Sequence, residues 1–181
     1  MKVKHTPIEG CFILQPQLFK DERGYFYESF NLSKFENTIG QCVNFVQDNE
    51  SLSSKGVLRG LHFQKGKFAQ AKLVRVVKGS VQDVVVDIRP RSKTYGQYFS
   101  IELSEENRTQ LFIPRGLAHG FLALENDTIF CYKCDNFYNK EAESGILYND
   151  TTLAISWNTL EKDFVISKKD LKLPKFKEVE L

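Results

Sequence analysis

The sequence predicts a mainly β protein, built as an antiparallel sandwich or barrel. Fifteen Phe and seven Tyr stand against one Met and one Trp, and aromatic rings pack well on pleated sheet surfaces. Short apolar or alternating segments recur along the centre of the chain and are separated by turns, as in β-sandwiches and barrels. Helical periodicity is scarce by comparison.

The predicted strands follow one another through the middle of the chain. The run 81–88 is strongly β-branched and comes directly after a Lys-Gly-Ser turn, which is typical of a strand entered from a hairpin. A polar Glu-Asn-Asp turn separates the last two candidates. In chain order, the predicted strands are 72–77, 81–88, 98–103, 111–113, 120–124 and 128–134.

Helical structure is predicted in two short places only. Ser33 is expected to cap a short helix, with Glu36 completing a capping box. One further helical turn is expected within 163–171, and residues 174–181 are expected to form a surface tail.

Length and charge limit the classes of function. The 181 residues show no repeat, low-complexity tract or linker, which predicts a single domain over 1–181. A net charge of +2 is too small for the broad positive field of a nucleic-acid-binding protein. The N-terminus lacks an apolar signal region, and no apolar run approaches membrane-spanning length. We therefore expect a cytoplasmic protein that binds neither nucleic acid nor membrane, while local Arg and Lys residues remain available for an anionic small molecule.

The four cysteines are expected to be reduced, because no export signal is present. Cys131 and Cys134 have the spacing of redox and zinc sites, but no second pair or nearby histidine completes a zinc set. Residues three apart on a strand point to opposite faces, so we expect these two thiols not to meet.

His62 carries the strongest local signal. It lies in the run VLRGLHFQ with Arg59, and histidine is the side chain that most readily takes and returns a proton near neutral pH. For an isolated pair, a packed core histidine and a surface arginine are the more common outcome. An ideal strand would also place the two on opposite faces, whereas a bulge at Gly60 would bring both into one cavity.

Lys72, Asp83 and Asp87 each allow two interpretations. A strand lysine is usually solvated, but in a cavity it would stabilise an oxyanion. Asp83 and Asp87 share a face with β-branched residues. They are either buried against a histidine or lysine or exposed at a rim.

His119 and Tyr132 also allow both a structural and a functional interpretation. His119 lies between small residues, where a ligand can approach closely. Tyr132 is either a packing residue or a general acid. Metal binding is disfavoured, because the histidines lack the spacing and nearby carboxylates of a metal set. Nothing in the local sequence around Asp170 shows that it orients a histidine.

A series of segments, in order and over nearly the whole chain, resembles the dTDP-4-dehydrorhamnose 3,5-epimerase family. The resemblance implies a cupin-like jelly roll, which is a double-stranded β-helix, with a few short helices. The segments are FKDERGYFYE (19–28), VQDNES (46–51), GVLRGLHFQ (56–64), AQAKLV (69–74), DVVVDIR (83–89), IPRGLAHGF (113–121), YKC (132–134), YND (148–150) and SKKD (167–170).

The resemblance also implies a reaction. The substrate would be a nucleotide-linked 4-keto-6-deoxy sugar, most closely dTDP-4-dehydro-6-deoxy-D-glucose, converted to dTDP-4-dehydro-L-rhamnose. His62 would be the base and Asp170 its orienting carboxylate. Lys72 would stabilise the enolate oxygen, and Tyr132 would return a proton to the opposite face of the ring.

Substrate contacts follow from the same resemblance. Arg23 and Arg59 would bind the pyrophosphate, and Tyr138 would stack on the base. The family implies no metal or organic cofactor. It implies a homodimer that exchanges N-terminal strands, so that some contacts would serve the neighbouring subunit's site. The remaining implied contacts are Phe19, Glu28, Gln47, Asp48, Asn49, Glu143 and Lys169 around the nucleotide sugar, and His119, which Asp83 would support.

A few positions depart from the family pattern. Phe137 replaces a common tyrosine, Lys140 a proline, and Ser144 often an arginine or glycine, while one residue is inserted between Trp157 and Asp170. The sequence therefore does not determine which nucleotide and which sugar the substrate contains. The alternatives are a C3-only or C5-only epimerase, an epimerase of a GDP-linked 4-keto hexose or heptose in surface-polysaccharide biosynthesis, and a non-catalytic cupin that binds nucleotide sugars.

Overall fold

The computed structural model describes residues 1–159 and 163–180. Within these residues, the α-helix α1 spans Leu32–Ile39, and 3-10 turns span Gly66–Phe68, Asp170–Lys172 and Phe176–Glu178. The strands are β1 (Lys2–His5), β2 (Phe12–Gln15), β3 (Phe19–Asp21), β4 (Gly24–Phe26), β5 (Gln47–Ser53), β6 (Val57–Gln64), β7 (Lys72–Lys78), β8 (Ser80–Asp87), β9 (Tyr98–Ser104), β10 (Gln110–Ile113), β11 (Leu117–Ala123), β12 (Thr128–Cys134), β13 (Glu143–Gly145) and β14 (Val165–Ile166).

The strands form two main sheets of a jelly roll, which confirms the predicted mainly β class. The first sheet has the order β1-β2-β10-β7-β12-β5, and the second has the order β13-β6-β11-β8-β9. Neighbours along both orders are antiparallel, while the short β14 pairs parallel with β6. The strands β3 and β4 form a separate hairpin.

The space between the sheets holds the main core. Buried Val74, Val85, Leu111 and Phe130 pack there, and apolar burial of this kind supplies most of the driving force for folding. A second buried cluster lies under α1, where Phe35 packs against the first sheet. The helix therefore covers the outer face of that sheet.

The helix begins earlier than the sequence predicts. Asn31 is the N-cap, and its Oδ1 accepts a hydrogen bond from the backbone N–H of Lys34 at 3.0 Å. The predicted cap at Ser33 is wrong, because Asn31 supplies a favourable capping side chain two residues before it. Glu36 instead accepts a hydrogen bond from the backbone N–H of Val43.

The predicted surface tail is also wrong. Phe176 is buried and packs in the cluster that contains Leu61 and Ile146. Its backbone N–H donates to Asp150 at 2.9 Å. The C-terminal segment is thus fixed against the second sheet, which matters because Asp170 lies just before it. In the described part of the chain, no helix is long and apolar enough to cross a membrane.

Candidate active site

Two adjoining cavities open at the side of the sandwich. The first, of about 520 Å³, is lined by residues of β6, β11 and β12 and by the C-terminal segment 165–170. The second, of about 240 Å³, lies towards β13 and the loop after β12. His62, Lys72 and Tyr132 line both cavities, so these three residues stand where the two spaces meet.

A shift in strand register places His62 and Arg59 in the same cavity. His119 of β11 pairs with His62 of β6, and Phe121 of β11 pairs with Arg59 of β6. Between these two pairs, β6 therefore has one more residue than β11. Gly60 lies in the shift with φ +118°, and a Cβ there would approach the Cα of Gly120 to 2.6 Å. The bulge expected at Gly60 is confirmed, and glycine is required because any side chain would collide with β11.

Asp170 holds the imidazole of His62. The Oδ1 of Asp170 lies 2.7 Å from Nε2 of His62. Burial opposes ionisation of Asp170, but hydrogen bonding and the charge of His62, with the backbone of Gly60, bring the pKa of the carboxyl below its usual value. Asp170 is therefore a carboxylate, and when the imidazole of His62 is neutral it accepts the Nε2 proton, so that the lone pair is on Nδ1.

Lys72 and Tyr132 belong to the opposite sheet. They lie on β7 and β12, and Nζ of Lys72 is 5.8 Å from the centre of the Tyr132 ring. Burial lowers the pKa of Lys72 and raises the pKa of Tyr132. Tyr132 is therefore a protonated phenol, able to donate a proton. A base from one sheet and an acid from the other thus line one space.

His119 lies beside this group and is held by a second carboxylate. Its Nε2 is 2.8 Å from Oδ2 of Asp83, and both residues are buried. Burial lowers the pKa of His119. Asp83 thus has the buried histidine partner that one of the two interpretations required. Asp87 is buried as well, but against Arg89 rather than a histidine or lysine.

Polar side chains converge at the second cavity. The Tyr138 hydroxyl donates to Oε2 of Glu143 at 2.7 Å, and Lys169 forms an ion pair with the same oxygen. Burial opposes ionisation of Glu143, but the hydrogen bonds from Lys169 and Tyr138 lower its pKa. Gln47 accepts a hydrogen bond from the backbone N–H of Tyr138 and donates one to Asn49. The fold therefore gathers five residues that the resemblance implies as ligands, four of them at the second cavity and Lys169 at the edge of the first.

Four other implied ligands line neither cavity of their own chain. Phe19 and Arg23 lie on and beside the β3–β4 hairpin and are exposed, and Glu28 forms an ion pair with Lys34. The side chain of Asp48 faces the other side of β5, where it forms an ion pair with Lys133. Within one chain, these side chains contact neighbouring surface residues and do not reach His62.

The two cysteines of the C-x-x-C motif are separated by β12. Both thiols are free. Cys131 lines a groove on the outer face of the first sheet, and Cys134 lines the second cavity. The expectation that these thiols do not meet is confirmed.

Several cavity residues escape the sequence analysis. Phe121, Phe130 and Val165 form the apolar wall of the first cavity, and Ser51 lies among them. The alternation of inward polar residues along β5, from Gln47 through Asn49 to Ser51, is a signal that points to this last residue. Among the described residues, no group of three or more His, Cys, Asp or Glu side chains is placed to hold a metal ion.

A family model and a curated relative identify the same protein family. A family model described as dTDP-4-dehydrorhamnose 3,5-epimerase matches residues 5–178. The dTDP-4-dehydrorhamnose 3,5-epimerase of Escherichia coli K12 is 51% identical over 173 residues, which cover 96% of this chain and 93% of that protein.

Solved structures agree in fold as well as in sequence. The crystal structure of the dTDP-4-dehydrorhamnose 3,5-epimerase of Elizabethkingia anophelis NUHP1 is 53% identical and superposes with a TM-score of 0.95, over 98% of this chain and 97% of that one. The dTDP-6-deoxy-D-glucose-3,5-epimerase of Legionella pneumophila Philadelphia 1, in complex with dTDP-4-keto-L-rhamnose, is 44% identical with a TM-score of 0.95, over 99% of this chain and 94% of that one.

Proposed function

Because the chain belongs to the dTDP-4-dehydrorhamnose 3,5-epimerase family, we propose that it inverts C3 and C5 of dTDP-4-dehydro-6-deoxy-D-glucose to give dTDP-4-dehydro-L-rhamnose. One observation in the structure carries the proposal most strongly. His62 and Tyr132 come from opposite sheets and line the same cavity, and Asp170 contacts His62 from the C-terminal segment. A base and an acid on opposite sides of a bound ring are what inversion at carbon requires.

His62 is the base that removes the proton. The ketone at C4 acidifies the protons on C3 and C5, because the carbanion formed is an enolate. Nδ1 of His62 accepts the proton, and the Asp170 carboxylate stabilises the imidazolium that results while it fixes the ring orientation. The short contact between Asp170 and Nε2 supports this division of roles.

Lys72 and Tyr132 complete the reaction. The partly buried ammonium of Lys72 stabilises negative charge on the enolate oxygen, since a charge interaction is strong in a poorly solvated site. Tyr132 then donates its phenolic proton to the face opposite His62. The raised pKa of Tyr132 supports this step, because the phenol holds its proton until the enolate forms.

The nucleotide is bound around the two cavities. Arg59 pairs with the pyrophosphate, and Tyr138 stacks on the base beside Gln47 and Glu143. His119, held by Asp83, contacts the sugar, and Asn49 and Lys169 contribute further polar contacts. The proposal requires no metal or organic cofactor.

We propose a homodimer that exchanges N-terminal strands. Phe19, Arg23 and Glu28 would then line the other subunit's site. Asp48 would instead contact the substrate of its own subunit through its backbone, because Gln47 and Asn49 on either side of it line that cavity. The exposure of the β3–β4 hairpin in one chain supports this arrangement. A cytoplasmic location is also proposed, and the four free cysteines agree with a reducing compartment.

The test is solvent exchange with purified protein. Incubation with dTDP-4-dehydro-6-deoxy-D-glucose in D₂O should place deuterium at both C3 and C5, and should yield the L-rhamno product. Exchange at one carbon only would reject the double epimerase in favour of a C3-only or C5-only enzyme. Turnover of a GDP-linked 4-keto sugar in preference to the dTDP-linked one would reject the nucleotide assignment. Tight binding without exchange would reject catalysis altogether.

A further inference from the structure

The inner face of β5 is a row of polar side chains. Gln47, Asn49 and Ser51 alternate with Asp48 and Glu50, which face a groove on the other side of the sheet. Gln47 and Asn49 line the second cavity, and Ser51 continues the row into the first cavity. Ser51 therefore extends a surface that the proposed function already gives to the substrate.

The hydroxyl of Ser51 is unusual in this setting. In residues 1–159 and 163–180, its Oγ is one of three buried side-chain polar atoms without a hydrogen-bond partner. A buried hydroxyl without a partner destabilises the folded protein, because the water it gave up is not replaced. Its neighbour across the sheet is Phe130, which offers no polar atom. The described residues of the free protein therefore offer the Ser51 hydroxyl no hydrogen bond.

Arg59 supplies the complementary observation. Its Nε donates to Oγ of Ser53 at 3.2 Å, and one Nη donates to the backbone carbonyl of Leu52 at 3.1 Å. The guanidinium is thus fixed against β5, on the residues that follow Ser51. A guanidinium has five N–H donors in a planar fork, so donors remain for an anion in the first cavity.

We infer that Ser51 is a ligand of the substrate's diphosphate, which it shares with Arg59. This inference rests on the proposed function for the class of substrate. On binding, rotation about the Cα–Cβ bond turns the hydroxyl into the cavity, where it donates to a phosphate oxygen that Arg59 also binds. The free protein thus carries an unpaired hydroxyl that finds its partner only in the complex.

The inference predicts opposite effects on stability and on binding. Ser51→Ala removes a hydroxyl that has no partner in the free protein, so the free protein should be as stable as the wild type or more stable. Its affinity for dTDP should fall about tenfold or more, since a hydrogen bond to a charged oxygen is lost. Its affinity for thymidine, which has no phosphate, should not change.

Titration calorimetry and thermal unfolding measure both effects. Ser51→Thr keeps the hydroxyl and should retain affinity for dTDP, and Ser54→Ala is the matched control, because Ser54 is exposed and lies just after β5. An affinity of Ser51→Ala for dTDP within twofold of wild type would overturn the inference, and so would an equal loss for thymidine. Wild-type protein that binds neither dTDP nor GDP would reject the proposed function together with the inference, whereas wild-type binding with an unaffected Ser51→Ala rejects the inference alone.

Discussion

Asp170 lies 2.7 Å from His62, although 108 residues separate them in the chain. The parallel pairing of β14 with β6 brings the C-terminal segment alongside the strand that carries His62. The backbone N–H of Asp170 then donates to Ser167 Oγ at 3.0 Å, which fixes the turn. The proposed base thus depends on a contact between distant parts of the sequence.

Replacing Asp170 should impair catalysis without impairing binding. Asp170→Asn keeps the shape of the side chain but removes the charge that stabilises the imidazolium of His62. We expect kcat to fall roughly a hundredfold or more, with KM little changed, because Asp170 acts on the transition state through the histidine. Steady-state kinetics and dTDP affinity measure the two effects. Asp127→Asn is a matched control, since the side chain of Asp127 is 70% exposed. A kcat for Asp170→Asn close to that of the control would contradict the role.

Subunit mixing tests the exchanged dimer. Arg23→Ala and His62→Asn should each be nearly inactive as homodimers. If Arg23 serves the other subunit's site, a heterodimer of the two variants contains one site with both residues intact. Unfolding and refolding an equal mixture should then restore about a quarter of wild-type activity, because half of the dimers are mixed and each has one intact site. No gain over the separate variants would show that Arg23 acts within its own chain.

Asp87 should govern stability in acid. Burial opposes ionisation of Asp87, but hydrogen bonds from Arg89, Ser92 and Thr94 lower its pKa from 3.8 to about 2. A carboxyl whose pKa is lower in the folded state stabilises the fold above its unfolded pKa, and this contribution is lost as the pH falls from about 4 through about 2. The expected contribution at neutral pH is about 2 kcal/mol.

Urea unfolding as a function of pH measures this contribution. Asp87→Asn should lower the free energy of unfolding at pH 7 by about that amount, and should flatten its decline between about pH 4 and pH 2. The exposed Asp127→Asn serves again as the control and should change neither. A variant with wild-type acid dependence would show that the cluster around Asp87 does not have the role argued from its hydrogen bonds.

The sequence predicts the centre of the fold well for a physical reason. The strands β7, β8 and β12 are apolar or β-branched, so their composition alone identifies them. By contrast, the sequence does not predict β5, because the inner face of this strand lines a cavity and is polar instead of apolar. Apolar and β-branched runs identify strands that are buried, and a strand whose inner face lines a binding cavity lacks such a run.

The candidate site likewise has features that the sequence predicts and features that it does not. A bulge at Gly60 could be proposed from the sequence, because glycine is common where strands shift register. The pairing of Asp170 with His62 could be inferred only from resemblance, since no local pattern links residues so far apart. The role of Ser51 could not be predicted either, because an unpaired hydroxyl becomes visible only when its surroundings are known.

The central claim is that His62 and Tyr132 act on opposite faces of the sugar. The most direct measurement is NMR of substrate incubated in D₂O with His62→Asn and with Tyr132→Phe. We expect His62→Asn to show neither exchange nor inversion, because no base removes the proton. Tyr132→Phe should incorporate deuterium without inversion, because His62 removes the proton and returns a deuteron to the same face. Exchange at the wild-type rate in His62→Asn, or inversion at the wild-type rate in Tyr132→Phe, would contradict the account.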